Sequence, residues 1–475
     1  MTRPVSRRRF LAATAAAGYF LTAQARSAAG VARSNDRLRF AGIGVGGKGS
    51  GDVTHAGQFG DVVALCDVDG DTLGKKAAEF PRAERFADFR KLFDAPVAKQ
   101  VDAVTVSTPD HTHALAAMLA IRLGKHVYCQ KPLTRAVSEA HLLMWAAADK
   151  GVCTQMGNQG TAGPGLRRAV ELVRAGVIGP VTEVHVWTNR PIWPQAPLVT
   201  ARPPAVPVPK HLDWDAWLGP APARPYAEYA EPISAGRRKF TQAYHPFAWR
   251  GWWDFGTGAI GDMACHTANL AFLALRLTQP TRVSAEAGDV NTETCPSHAH
   301  VTMQFPARGE LPPVTLHWYE GQKAGEKLTP PKELLAKVLK PGESLTASGS
   351  MLVGAKGILY SPNDNGSAFR ITPDGLADGK NLTKPEVLPA YDGNNDVNQK
   401  REWVEAIKAS KPEAALSHFG YAALLTSAFL LGNVAIRTRK PIEWDAVTLT
   451  ASGVAGVAAL IRPEYRKGWE LPTGG

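Results

Sequence analysis

Cysteine is scarce: 475 residues hold five, at positions 66, 129, 153, 265 and 295. None stands in a C-x-x-C pair, so a zinc site or other metal centre has no support. An odd, scattered set is no disulfide framework either, and buried free thiols are the expectation. Beyond the N-terminal segment no apolar run reads as long enough to span a bilayer, so no stable membrane anchor is expected. Basic runs with interleaved aromatics are missing, which argues against a nucleic-acid partner. The formal charge is +11, from 54 basic and 43 acidic residues, and part of it is an end effect. Residues 1–33 carry six arginines and no Asp or Glu; without them the excess falls to five.

Those first 33 residues read as an address and a linker. Ser6-Arg7-Arg8-Arg9-Phe10-Leu11 matches the twin-arginine pattern, a weakly apolar stretch runs to Thr22, and Ala23-Gln24-Ala25 fits a small-x-small cleavage site. Ser27-Ala28-Ala29 is a competing site. The order predicts a chain handed to the twin-arginine translocon and exported to the periplasm or an equivalent compartment.

Residues 34–156 alternate strands and helices. Strands are predicted at Leu38–Ala41, Val62–Cys66, Ala103–Ser107 and His126–Cys129, with helices between, which predicts a doubly wound parallel sheet of Rossmann type. Residues 157–475 follow another grammar. A helix near 165–175 leads to strands at Val181–Asn189, Arg282–Ala287, His300–Phe305, Val314–Trp318 and Ser350–Tyr360, with no helices among the last four. This predicts an α+β domain with a large, mostly antiparallel open sheet. Residues 191–240 are Pro-rich and read as an irregular excursion, and 361–400 read as loop. Helices are predicted at about 398–408, 418–438 and 445–458.

Gly42-x-Gly44-x-x-Gly47 follows the first strand and opens a helix, the setting in which such glycines cradle a dinucleotide pyrophosphate. Asp67, at the end of the second strand, is placed to accept from a ribose 2′-hydroxyl, which favours NAD over NADP; Asp69 is the second candidate. An exported protein meets no large nicotinamide pool, so the cofactor should be held tightly.

Two further motifs follow the third and fourth strands: Ser107-Thr108-Pro109-Asp110-His111-Thr112-His113 and Gln130-Lys131-Pro132. With the glycines, Asp67 and the pair Asp262/His266, they make the chain resemble the Gfo/Idh/MocA family of oxidoreductases, over essentially residues 36–470. The resemblance implies a Rossmann domain plus an α/β domain whose open sheet often serves oligomerisation, hence a homo-oligomer. It implies that Thr108, Pro109, His113, Gln130 and Lys131 line the cofactor cleft, and that a cis Lys131–Pro132 bond sets the lysine against the nicotinamide. The family's E-K-P appears here with Gln130 in place of the glutamate, so the carboxylate beside the lysine is lost. His111 reads as a loop histidine at the start of the next helix.

Asp262 and His266, four apart on an apolar helix after a Gly-rich turn, share one face. The expectation is that His266 acts as general base near its ordinary pKa of about 6.5, that Asp262 orients it, and that Lys131 polarises the same substrate oxygen while a hydride leaves its carbon. Asn158 lies just past the domain junction, placed to meet substrate or nicotinamide. Tyr244, His245, Trp249, Trp252 and Trp253, with Trp187 and Trp193 in the same half, offer aromatic faces for a sugar ring, and Arg190 and Arg250 would bind a carboxylate or pair with acids. Three readings compete: an exported dehydrogenase acting on a small carbohydrate, a redox-neutral NAD-dependent glycosidase, and a nucleotide-holding protein without turnover. The intact Lys131, Asp262 and His266 speak against the last.

Overall fold

The computed structural model describes residues 37–378 and 387–472; the twin-arginine segment lies outside the described residues. Strands β1 (Leu38–Ile43), β2 (Gly60–Cys66), β3 (Glu84–Phe86), β4 (Ala103–Val106), β5 (His126–Gln130) and β6 (Thr154–Gly157) form a parallel sheet in the order β3-β2-β1-β4-β5-β6. Helices α1 (Gly47–Gly57), α2 (Gly70–Glu79), α3 (Asp110–Arg122) and α4 (Val137–Lys150) connect them. β4 is buried at every residue, as a strand covered on both faces must be. From β1 the chain runs outward to β2 on one side and returns to β4 on the other. The crevice beyond the carboxyl ends of β1 and β4 is therefore the topological switch point, where such sheets bind ligands.

The second half contributes β7 (Val181–Trp187), a hairpin β8–β9 (Glu228–Ala235, Arg238–Gln242), β10 (Arg282–Gly288), β11 (His298–Phe305), β12 (Val314–Lys323), β13 (Glu326–Lys327), β14 (Gly349–Gly354), β15 (Ile358–Ser361), β16 (Arg370–Thr372), β17 (Ile442–Asp445) and β18 (Thr450–Ser452). Apart from the hairpin, these build a ten-stranded sheet in the order β16-β15-β14-β7-β12-β11-β10-β17-β18, with β13 beside β12. β7 pairs parallel to β12; the other pairings are antiparallel. In β11 Ala299, Val301, Met303 and Phe305 face the core while His300 and Thr302 stay half exposed, the alternation of a sheet covered on one face.

Helices α5 (Gly258–Thr267), α6 (Asn395–Lys408) and α7 (Phe419–Thr438) join the two sheets. By length and composition α7 is able to cross a bilayer, contrary to the expectation that no such run exists. It is mostly buried, packed on α4, α5 and β10, and its apolar circumference is that of a central core helix.

Three local expectations are corrected. The helix expected at 445–458 begins only at Val457; before it lie the β17–β18 turn at 446–449 and β18, because the Asp445 carboxylate accepts from the amides of Val447 and Thr448 and from the Thr448 hydroxyl, a local alternative to helical hydrogen bonding. Residues 350–360 are two strands, β14 and β15, turned at 355–357. The Pro-rich excursion contains the β8–β9 hairpin and a helical turn at Trp214–Leu218 capped by Asp213. All five cysteines are buried and free, as expected.

The seam between the halves is polar at one point. The fully buried Asp52 of α1 is paired with the equally buried Lys400 of α6, and also receives Lys48 (2.7 Å), the Ser107 hydroxyl (2.9 Å) and the Gln130 amide (2.7 Å). Burial alone would raise the Asp52 pKa; Lys400 and Lys48 outweigh it and hold the carboxyl below its ordinary value. Removing one partner of a buried pair strands the other, at about 3–5 kcal/mol. Lys400→Met is therefore expected to lower the urea midpoint clearly, and adding Asp52→Leu to recover much of the loss. A Lys400→Met midpoint equal to wild type would mean that Lys48 alone satisfies the carboxylate.

Candidate functional site

The dinucleotide turn sits at the switch point, in a register two residues later than the sequence suggests. Gly42 lies within β1, paired with Leu65 and Thr105. The strand ends at Ile43, Gly44 turns with φ +74°, Gly46 caps α1 and the helix begins at Gly47. The working triplet is thus Gly44-x-Gly46-x-x-Gly49, with Gly47 between. A Cβ on Gly44 would stand 2.7 Å from the Ser107 carbonyl, and one on Gly49 would stand 1.9 Å from the Gly44 oxygen. No side chain caps α1, so its first amides remain free for an anion.

Asp67 closes this turn. Its Oδ2 accepts from the Val45 amide (2.8 Å) and its Oδ1 from the Asp69 amide (3.0 Å). Burial raises its pKa, and those amides oppose the rise. A free helix N-terminus, a Cβ-excluding turn and a carboxylate at the end of β2 fit a dinucleotide with an unphosphorylated ribose. Asp69 has other work: it caps α2 through the amides of Asp71 and Thr72 and meets His245 Nε2 at 3.1 Å. Asp69, Asp71 and His211 bring ligating atoms together, but two of the three are exposed and nothing else marks a cation site.

Thr108 and Pro109 lie half-buried at the end of β4, abutting Gly44, as a cleft wall should. His113 does not line the cleft. It is buried, with its ring nitrogens 2.8 Å from the Pro132 and Thr108 carbonyls, and burial lowers its pKa to about 4. It staples the loop after β4 to the loop after β5. Lys131–Pro132 is cis. Gln130 turns away from Lys131 into the Asp52 cluster. Asn158 is fully buried: its amide nitrogen donates to the Cys265 carbonyl (3.2 Å) and its oxygen accepts from Ser417 (2.6 Å). It anchors α5 next to His266 and does not reach a ligand.

Lys131 and His266 meet in a cavity of about 480 Å³, also lined by Arg190, Arg250, Asp262, Trp193 and Phe247. That volume lies in the usual range for small-molecule sites, roughly 300–1,000 Å³. Lys131 Nζ donates to the Asp262 carboxylate and to the Asp262 carbonyl, both at 2.8 Å. Asp262 therefore serves the lysine from the other half of the chain and not the histidine on its own helix, as had been expected. Burial pushes its carboxyl up; Lys131, Arg250 and Arg190 together pull it well below the ordinary range. Burial and the Lys131 charge lower His266 to about 3, far from the ordinary value assumed from sequence. The imidazole is thus neutral at any working pH, and its Nδ1 is buried without a partner.

The five aromatic-segment residues expected to bind substrate do not line this cavity. Tyr244, Trp249 and Trp252 pack with Trp217 and Phe255 in a separate aromatic core. The indole N–H groups of Trp252 and Trp253 donate to the Ala243 and Asn291 carbonyls, and His245 goes to Asp69. The near-complete burial of Tyr244, Trp249, Trp252 and Trp253 leaves no ring face for a sugar, and the half-buried His245 is engaged by Asp69. The aromatics at the cavity are Trp193 and Phe247; sequence reasoning missed Phe247, and also Asp364, Asn365, Asn394, Asn395 and Asp396, which line the same cavity. The run Asp392-Gly393-Asn394-Asn395-Asp396 ahead of α6 carried a signal, that of a helix cap, and Asn394 does cap it.

Asp110, behind the cavity, is buried and accepts from the Thr257 hydroxyl at 2.8 Å. Burial raises its pKa to about 7, partly offset by Thr257 and Arg250. Because the folded value exceeds the unfolded one, its contribution to stability is lost as pH rises from about 4 through about 7. Asp110→Asn should keep the hydrogen bond and remove the slope, so its melting temperature should gain on wild type by several degrees between pH 5 and pH 8. A constant difference would contradict the raised pKa.

Fold and cleft together define a two-domain dinucleotide-binding protein of oxidoreductase type. Residues 38–158 match the model of the oxidoreductase family's NAD-binding Rossmann fold, and residues 169–311 match that of its C-terminal alpha/beta domain, together more than half of the chain. The chain belongs to the Gfo/Idh/MocA oxidoreductase family. It is 26% identical over 132 residues to a levoglucosan dehydrogenase of Pseudarthrobacter phenanthrenivorans, covering 27% of this chain and 33% of that one. It is 31% identical over 169 residues to a glycosyl hydrolase family 109 protein of Solibacter usitatus, covering 33% and 38%. These alignments span about a third of the curated relatives' lengths. Among solved structures, GenD2 from gentamicin A biosynthesis, in complex with NAD, shares the fold with a TM-score of 0.54 at 17% identity, covering 90% of this chain and all of that one.

Removing the Asp67 carboxylate should cost a charge-assisted hydrogen bond to the ribose. Asp67→Ala is expected to weaken NAD binding roughly tenfold or more while affecting NADP less, by calorimetry. Equal losses for both would place the ribose elsewhere.

Proposed function

We propose that this chain is an exported, NAD-dependent dehydrogenase that oxidises a ring hydroxyl of a sugar or glycoside. The observation that carries the reading is the meeting in one cavity of Lys131, which directly follows β5, and His266. Bound NAD supplies the acceptor for a hydride. Two of the three Lys131 protons are spent on Asp262, and the third is left for the substrate oxygen. The ammonium, held by a carboxylate from the other half, is preorganised to stabilise negative charge on that oxygen. His266, neutral through burial, is the base: as the hydride leaves with the C–H electron pair, the hydroxyl becomes strongly acidic, and even a weak imidazole takes its proton. The carbon becomes a carbonyl, and electrons and proton are both accounted for.

The twin-arginine address at residues 6–25 supports export, and with it a tightly held cofactor. A homo-oligomer built through the ten-stranded sheet belongs to the same proposal. A redox-neutral glycosidase is the second reading, favoured by the family 109 relative.

With NAD and a panel of hexoses, inositols and glycosides, reduced nicotinamide should appear with some members. His266→Asn should lower kcat by roughly 10²–10⁴ while leaving KM nearly unchanged, and Lys131→Met should lower it comparably. Released aglycone without net NAD reduction would replace the dehydrogenase by the glycosidase.

A further inference from the structure

We propose that the substrate carries a carboxylate, and that Arg190 and Arg250 form the subsite that receives it. The favoured substrates are then ring-forming sugar acids, the uronates, over neutral sugars. The proposal rests on the dehydrogenase reading and narrows it.

Charge counting at the cavity wall leads there. Lys131 Nζ lies 2.8 Å from the Asp262 carboxylate, Arg250 Nε 3.5 Å and Arg190 Nε 3.9 Å. Lys131 already balances Asp262, so beside that carboxylate the two guanidiniums have no acid of their own; of the other acids in the lining, Asp396 is met by Lys48 and Asp364 pairs with neither arginine. Among the described residues neither arginine forms an ion pair with any other carboxylate. Neither is within hydrogen-bond distance of Asp262 in its own right. Both side chains are about a fifth exposed, 22% and 23%, and line the cavity.

The two guanidiniums are also held in place. Arg250 lies between the rings of Phe247 and Trp249, 4.3 and 4.2 Å from their centroids, with Nη1 on the Phe247 carbonyl at 3.3 Å. Arg190 is tied through Nη1 to Asn189 Oδ1. Each retains N–H donors in a rigid planar fork, the geometry that grips a carboxylate with two bonds. The rest of the lining fits the same orientation: Asp364 and Asp396 would repel a carboxylate, while Asn365, Asn394 and Asn395 suit hydroxyl groups. A sugar acid thus lies with its carboxylate on the arginines, its hydroxyls on the asparagines, and its carbinol between Lys131 and His266.

The test pairs each neutral sugar with its acid: glucose with glucuronate, galactose with galacturonate. NAD reduction is followed with the mature wild-type protein and with Arg190→Gln. Calorimetry of galacturonate and glucuronate binding without turnover runs beside it. The expected result is a preference for the acids of about tenfold or more in kcat/KM, collapsing in Arg190→Gln chiefly through KM. Calorimetric affinity should fall in the variant and with added salt. Neutral sugars outperforming their acids would overturn the subsite while leaving the dehydrogenase intact. Absence of NAD reduction with every sugar would fell the dehydrogenase reading. The calorimetric arm then still decides the subsite: acid binding lost in Arg190→Gln upholds it, and no acid binding in wild type overturns it. Arg250→Gln disturbs the packing of Phe247 and Trp249, so Arg190→Gln carries the test.

Discussion

A single buried carboxylate ties this protein together. Asp52 projects from the helix that follows the dinucleotide turn, and every group it touches leads to a different working part. Ser107 leads to the loop walling the cleft, Gln130 to the residue before Lys131, and Lys400 to α6, which lines the substrate side. A charge at zero exposure is tolerable only when surrounded by donors, and that requirement fixes four segments relative to one another. Here lies the reason for a glutamine where relatives of this kind carry glutamate. A carboxylate at residue 130 would face Asp52 at hydrogen-bond distance, whereas an amide donates to it.

The catalytic constellation follows the same economy of buried charge. Lys131 and Asp262 come from opposite halves of the chain and neutralise each other where the halves meet. His266, beside that pair and with its Nδ1 buried, is held well below its ordinary pKa by burial and by the Lys131 charge. Burial thus supplies what the mechanism needs, an uncharged base next to the lysine that polarises the oxygen.

The architecture was legible in sequence because it rests on local periodicity: apolar runs alternating with helices, then strands without helices. The domain-level motifs were legible for the same reason, and Lys131, His266, Asp262 and Asp67 all reach the two sites. What failed depended on distant partners. Five glycines between 42 and 49 admit two overlapping fingerprints, and only the observed end of β1 at Ile43 chooses between them. Asp262 looked like the partner of His266 because spacing on one helix is visible, while a lysine 131 residues away is not. Aromatic rings in sequence do not declare whether water or protein meets their faces. Tyr244, Trp249, Trp252 and Trp253 met protein, and the cavity took Trp193 and Phe247 instead. The segment at 361–400 looked featureless because its polar residues line a cavity wall, which leaves no periodic trace.

The first turn of α6 has two jobs at once. Asn395 and Asp396 form part of the substrate wall, and Asp396 reaches Lys48, 3.1 Å away, in the first turn of α1. One turn further on, Lys400 grips Asp52 on the same helix α1. The chain of charges Asp396–Lys48–Asp52–Lys400 makes the pyrophosphate helix and the substrate wall a single mechanical body. The two binding equilibria are then thermodynamically linked, and linkage is symmetric: by whatever factor the dinucleotide changes affinity for the sugar, the sugar changes affinity for the dinucleotide. Under the proposed export, a coupling of favourable sign would let each bound substrate molecule help to keep the cofactor from escaping.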